Sequence, residues 1–140
     1  MTPPTVRRVA ETALYVDDLA RARAFYRDVL GLAPMGADGA RLASFDAGAA
    51  TVLLLFQRGA TVEGFDFPGG RIPPHDGSGP AHVAFAIEAS DVEAWAERLA
   101  THGVALESRV RWSRGGESLY FRDPDGHSVE LVTPGTWPSY

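Results

Sequence analysis

A repeat constrains this chain more than any other feature. Two segments that start about 71 residues apart, at Glu11 and at His82, follow one plan. In "ETALYVDDLARARAFYRDVLGL", alternation over Glu11–Val16 predicts a strand with Thr12, Leu14 and Val16 on one face and Glu11, Ala13 and Tyr15 on the other. Asp17 or Asp18 can cap the helix that follows. Leu19, Ala22, Phe25, Tyr26, Val29 and Leu30 form its apolar stripe, and Gly31 is placed to end it. In "HVAFAIEASDVEAWAERLATHGV", Val83, Phe85 and Ile87 alternate with His82, Ala84 and Ala86. Ser90 and Glu93 read as a capping box, Val92, Trp95, Ala96 and Leu99 as the stripe, and Gly103 as the stop.

Each half continues with strands. The first half offers a short strand near Ala33–Met35, then Arg41–Asp46 and Thr51–Phe56, with turns at Gly36–Gly39 and Ala47–Ala50. The second offers Leu106–Trp112, Glu117–Arg122 and Ser128–Val132, separated by the turn sequences "SRGG" and "DPDG". The expected fold class is therefore α+β, built from two tandem strand–helix–strand–strand–strand modules. Module one covers about 6–60, a linker about 61–80 and module two about 81–135, within one domain of 140 residues. The linker holds "GFDFPGGRIPPHDGSGP", rich in Gly and Pro. It is long for a compact domain, and such loops often serve as lids.

Composition narrows the function. Without cysteine the chain has no disulfide, no thiolate metal site and no cysteine nucleophile. All thirteen basic residues are arginine, so lysine Schiff-base chemistry is excluded. A net charge of −5 argues against nucleic-acid and anionic-membrane partners. No apolar run approaches a membrane span, and the first residues lack the apolar core of a secretory signal, which leaves the cytoplasm as the default location.

Three polar residues sit on strands where charge is costly. Glu130 lies in the apolar strand "SVELV", and an unpaired carboxylate there carries a large desolvation penalty. Glu11 and His82 open equivalent first strands, and their same-face neighbours Ala13, Ala84 and Ala86 are small enough to leave a cavity. Two carboxylates and an imidazole make a metal-site composition, and a divalent ion would offset the burial of charge. Each residue also has a plainer reading: Glu11 as a solvated strand start, His82 as a core or edge histidine, Glu130 paired with Arg122 or Arg114. Laying "LLFQRG" over "ELVTPG" puts Leu54 in the slot of Glu130, so these strands supply at most three ligands and leave positions open, as in catalytic sites.

The motifs "LYVDDLARARAFYRDVLGL", "HVAFAI" and "YFRDPDGHSVELV" resemble those of the vicinal oxygen chelate superfamily, which includes glyoxalase I, extradiol dioxygenases and the bleomycin- and fosfomycin-resistance proteins. The resemblance covers Glu11 to Pro134 and barely separates the members. It implies two βαβββ modules forming a curved, cup-like mixed sheet with helices packed outside, a divalent metal in the cup, a small-molecule substrate and a homodimer as the commonest state. The family's ligand positions fall on Glu11, His82 and Glu130, with Leu54 at the fourth. Glu11 stands where many members have His, and Leu54 where glyoxalase I has a Glu ligand. Such a set suits Mn, Zn, Ni or Mg at least as well as Fe(II).

The expected function is thus a divalent-metal-dependent enzyme acting on a substrate with neighbouring oxygens, as a lyase, isomerase or dioxygenase, with Glu130 or Glu11 as candidate general base. The alternative is a metal-free, bleomycin-resistance-like dimer that sequesters a flat ligand on Trp112, Phe65, Phe67 and Trp137. A third reading is a degenerate module with a structural metal only. His75 of the linker is a candidate fourth ligand, a proton shuttle or a solvated loop histidine. Arg114 and Tyr120 are candidate substrate contacts. His127 reads as structural, and His102 as a helix-end residue that suits the dipole.

Overall fold

The computed structural model describes residues 1–36 and 39–140, so the turn expected over Gly36–Gly39 lies partly outside the described residues. Ten strands and two α-helices occur among the described residues. They run β1 (Glu11–Val16), α1 (Leu19–Asp28), β2 (Ala33–Met35), β3 (Leu42–Asp46), β4 (Val52–Gln57), β5 (Phe65–Phe67), β6 (Gly70–Ile72), β7 (His82–Ala86), α2 (Val92–Thr101), β8 (Ser108–Arg111), β9 (Glu117–Arg122) and β10 (Ser128–Val132). The strand–helix–strand–strand–strand order expected from the repeat occurs twice. The linker differs from expectation, because it holds the hairpin β5–β6 rather than structureless chain. Phe65 pairs with Ile72 and Phe67 with Gly70.

The two four-stranded sheets share one topology. The first is ordered β1-β4-β3-β2 and the second β7-β10-β9-β8. In each, the first strand pairs in parallel with the last, and the remaining neighbours are antiparallel. The registers also correspond. Ala13 lies opposite Leu54 in the first sheet, and Ala84 lies opposite Glu130 in the second. Leu54 thus occupies the slot of Glu130, as the aligned sequences implied.

The chain divides into two compact units. Unit one is 1–19 with 32–77, and unit two is 20–31 with 78–140. Sequence modules and compact units therefore differ at α1, which follows β1 in the chain and belongs with unit two. Unit one packs Leu14, Val16, Ala43, Phe45, Leu53 and Leu55, all buried, on the inner faces of its strands. Fully burying a Leu or Phe side chain is worth about 1.5–3 kcal/mol, so this alternating set holds the sheet to its core.

In unit two, the stripe of α1 meets β9 and the turn after it. The ring of Phe25 lies 6.3 Å from that of Phe121, and the fully buried Tyr26 donates its hydroxyl to Asp123 at 2.8 Å. The Arg98 guanidinium, from α2, donates to the carbonyls of Asp28 and Val29 at 2.8 and 2.7 Å. It satisfies acceptors that a helix end leaves open. The N-terminus of α2 departs from the expected capping box. The residue before the helix is Asp91, and no side chain caps there. Glu93 pairs with Arg109 on β8 instead, because an arginine within reach outcompetes a backbone amide.

Asp123 organises the "DPDG" turn. Its Oδ1 accepts from the backbone amides of Asp125 and His127 at 3.0 and 2.8 Å, while Oδ2 accepts from Tyr26. The turn needs Gly126, whose φ is 82°, a left-handed conformation that costs glycine little. His127 is buried and accepts from the amide of Ala81 through Nδ1 at 2.8 Å, which fits the structural role expected for it. His102 caps the end of α2, as read from the sequence.

Replacing Tyr26 with Phe removes a hydrogen bond to a buried carboxylate and is expected to lower unfolding free energy by about 1–3 kcal/mol in urea denaturation. Burial, then the charge of Asp123, pushes the Tyr26 phenol well above its ordinary value. The neutral phenol's contribution is full below the unfolded value near about 10 and is lost as pH rises toward the folded value. The gap between wild type and Tyr26→Phe is therefore expected to narrow in strongly alkaline buffer.

Candidate functional site

Unit two brings together two of the three candidate ligands. Glu130 sits mid-strand in β10, where the pleat turns its side chain to the face shared by Tyr120 on β9, its direct partner in register. The residue is only 7% exposed. Its Oε2 accepts from the Ser118 hydroxyl at 2.5 Å, and Ser118 Oγ in turn accepts from the Trp112 indole N–H at 2.8 Å. This chain of donors holds one carboxylate oxygen. The other, Oε1, lies 3.2 Å from Nε2 of His82.

The state of His82 follows from its other nitrogen. Nδ1 lies 3.0 Å from the carbonyl oxygen of Ser128. A carbonyl only accepts, so Nδ1 carries the proton and donates. That leaves Nε2 facing a carboxylate oxygen. Two lone pairs at that distance repel, and the contact becomes favourable when a proton shared between Nε2 and the carboxyl oxygen, or a metal ion held by both side chains, lies there. A backbone carbonyl behind the far nitrogen is also what orients a metal-binding imidazole.

Tyr120 completes the cluster. Its ring stacks near that of His82, with centroids 6.3 Å apart and planes 24° from parallel. Burial first, then the charge of Glu130, raises its phenol above the ordinary value, so Tyr120 keeps its proton at neutral pH. Tyr120, a candidate contact from the sequence, is therefore beside His82 and Glu130. Arg114 is not. It is exposed in the turn between β8 and β9, with no side-chain hydrogen bond or ion pair among the described residues. Glu130 pairs with neither Arg114 nor Arg122, because Arg122 is engaged by Glu107 at 2.7 Å.

Glu11 belongs to unit one, on the exposed start of β1. Among the described residues, no three His, Asp or Glu side chains form a metal-ligating group. Glu11 lines a cleft of about 500 Å³ within unit one, with Ala13, Tyr15, Arg41, Leu54 and His75 among its other walls. His75 of the linker is thus placed in a cleft. Its Nδ1 is 2.6 Å from the Tyr15 hydroxyl, and Phe56 packs against its ring.

Sequence reasoning passed over Ser118, Trp112 as a donor, and Arg41. Ser118 carries a legible signal: it is a polar residue in "ESLYFR", one antiparallel hairpin away from Glu130. Trp112 and Arg41 carry none, since their roles depend on pairings between strands.

The comparisons with known proteins agree with this fold. Residues 8–131 match the model of the Glyoxalase/Bleomycin resistance protein/Dioxygenase superfamily, and the chain belongs to that superfamily. It is similar to the lactoylglutathione lyase structure from Agrobacterium tumefaciens, with a TM-score of 0.84, 36% identity and coverage of 98% of this chain and 99% of that one. A metallothiol transferase FosB from Staphylococcus epidermidis is 34% identical over 119 residues, 84% of this chain and 77% of the relative. The match to FosB from Staphylococcus saprophyticus reaches 49% identity over 53 residues, and there the chain spans only 35% of the relative's length. No helix among the described residues is long and apolar enough to cross a membrane.

Ser118→Ala is expected to lower unfolding free energy by about 1–3 kcal/mol, because it leaves a buried carboxylate oxygen without its donor. The indole proton of Trp112 should shift and exchange faster with solvent in the same variant, which NMR reads directly.

Proposed function

We propose that the protein is a divalent-metal-dependent enzyme acting on a small molecule with neighbouring oxygen atoms, and that His82, Glu130 and Glu11 hold the ion. The observation that carries this reading is the His82–Glu130 contact. One imidazole nitrogen is committed to the Ser128 carbonyl while the other meets a buried carboxylate oxygen at 3.2 Å. The two groups fit a divalent ion in donor type and in the support behind each. A nitrogen with two carboxylates is a hard donor set, which suits Mn, Zn, Ni or Mg as well as Fe(II). The similarity to a lactoylglutathione lyase over nearly the whole of both chains supports the same reading.

A bound ion would act as a Lewis acid toward an oxygen of the substrate. The chain's own residues supply the rest. Ser118 and Trp112 hold one Glu130 oxygen in place, so the other is presented in a fixed direction. Tyr120 offers a neutral phenol donor beside it. Glu130 or Glu11 serves as the base that takes a proton from the substrate. Lyase, isomerase and dioxygenase chemistry share this frame. The protein is proposed to act as a homodimer.

Elemental analysis of protein purified without chelator is expected to find one divalent metal per chain. His82→Ala and Glu130→Gln are expected to abolish stoichiometric binding, and Ser118→Ala to weaken it by about 10–100-fold. Protein that holds no metal, and that binds none of Mn, Zn, Ni, Mg or Fe(II) in calorimetric titration, would overturn the proposal in favour of a metal-free sequestering protein.

A further inference from the structure

The unit-one cleft has features that metal binding does not explain. Its volume, about 500 Å³, falls within the range of roughly 300–1,000 Å³ typical of small-molecule sites. Ala13, Leu54 and Phe56 give it apolar walls, and Arg41, Tyr15, His75 and Glu11 give it polar ones.

His75 is held there by both its backbone and its ring. Its amide donates to the Thr61 carbonyl at 3.1 Å, and the buried Thr61 hydroxyl donates to its carbonyl. Its ring meets the edge of Phe56 at 4.7 Å between centroids and bonds the Tyr15 hydroxyl at 2.6 Å. Two residues on, Gly77 lies against the Tyr15 ring so closely that any Cβ would overlap it. A solvated loop histidine needs none of this.

Arg41 supplies the charge. Its guanidinium lies over the rings of Phe65 and Phe56, at 5.0 and 6.0 Å from their centroids, and its Nε donates to the Ala60 carbonyl at 3.2 Å. No carboxylate among the described residues pairs with it, so its two terminal nitrogens are left to bind a ligand. The contacts to the aromatic rings and to Ala60 fix the plane of the guanidinium, and a planar fork in a fixed orientation is suited to bidentate binding of an oxyanion.

We infer that this cleft binds a small organic acid: Arg41 holds its carboxylate or phospho-anion, the Tyr15–His75 pair bonds a further oxygen, and Ala13, Leu54 and Phe56 cover its hydrocarbon body. The inference gives the proposed enzyme a substrate class, and it rests on that reading only in equating this ligand with the substrate. Binding itself requires no metal.

Titration of the full-length protein with phenylacetate, phenyl phosphate and the neutral phenylacetamide, followed by calorimetry and by NMR of the His75 and Phe56 rings, tests it. At least one of the two acids is expected to bind, about tenfold or more tightly than the amide, with shifts at both rings. The two acids distinguish a carboxylate site from a phospho-anion site. Arg41→Gln should erase the preference for acid over amide, and Arg41→Lys should restore part of it. Equal binding of acid and amide, a preference that survives Arg41→Gln, or no shift with either acid would overturn the inference. Glu130→Gln separates the two readings, because it should abolish metal binding and leave acid binding intact. Loss of acid discrimination with metal binding preserved in wild type would refute this inference alone.

Discussion

The carboxylate of Glu130 is the constraint on which unit two turns. An ionised group placed in a central, apolar strand must be compensated where it stands, and the surrounding residues do so in a fixed order. Trp112 donates to Ser118, Ser118 to one carboxylate oxygen, and His82 faces the other with its far nitrogen tied to Ser128. The position of β10 that makes this possible is set from outside the strand. Asp123 gathers two turn amides and the Tyr26 hydroxyl, and so ties α1 to the connection from which β10 begins. The helix, the turn and the site therefore form one chain of dependence.

The two units show what a repeated framework can do once its copies diverge. Each sheet pairs its first strand with its last in the same register, yet one copy presents Glu130 opposite Ala84 and the other Leu54 opposite Ala13. With leucine in that slot, the unit-one cleft has an apolar wall where unit two has a carboxylate. The same cleft holds Arg41, Tyr15 and His75, a set suited to an organic anion. Unit two presents His82 and Glu130, which are suited to a cation. The division follows from side-chain chemistry at equivalent backbone positions.

Much of this was legible in the sequence, for definite reasons. Alternation at Glu11–Val16 and Ser128–Val132 marked strands because a pleated strand repeats every two residues. The oddity of Glu130, its relation to His82 and the substitution of Leu54 all followed from aligning the repeat. The short hairpin Phe65–Phe67 and Gly70–Ile72 did not show, since three-residue strands are below the length at which alternation can be read. The capping box of Ser90 and Glu93 was a sound local pattern that lost to Arg109 from another strand. Arg41 looked like any strand-start arginine, because the rings it lies against come from β4 and β5.

The sequence by itself determined the repeat, the order of its elements, the family and the identity of the residues with unusual chemistry, because these depend on spacing along the chain. Only the tertiary structure decided which partners those residues have. It assigned α1 to the second unit, set Ser118 and Trp112 behind Glu130, tied His82 to a backbone carbonyl, and fixed His75 against Tyr15. Hydrogen bonds act over about 3 Å, and residues far apart in sequence come within that distance only when strand register and turns have placed them.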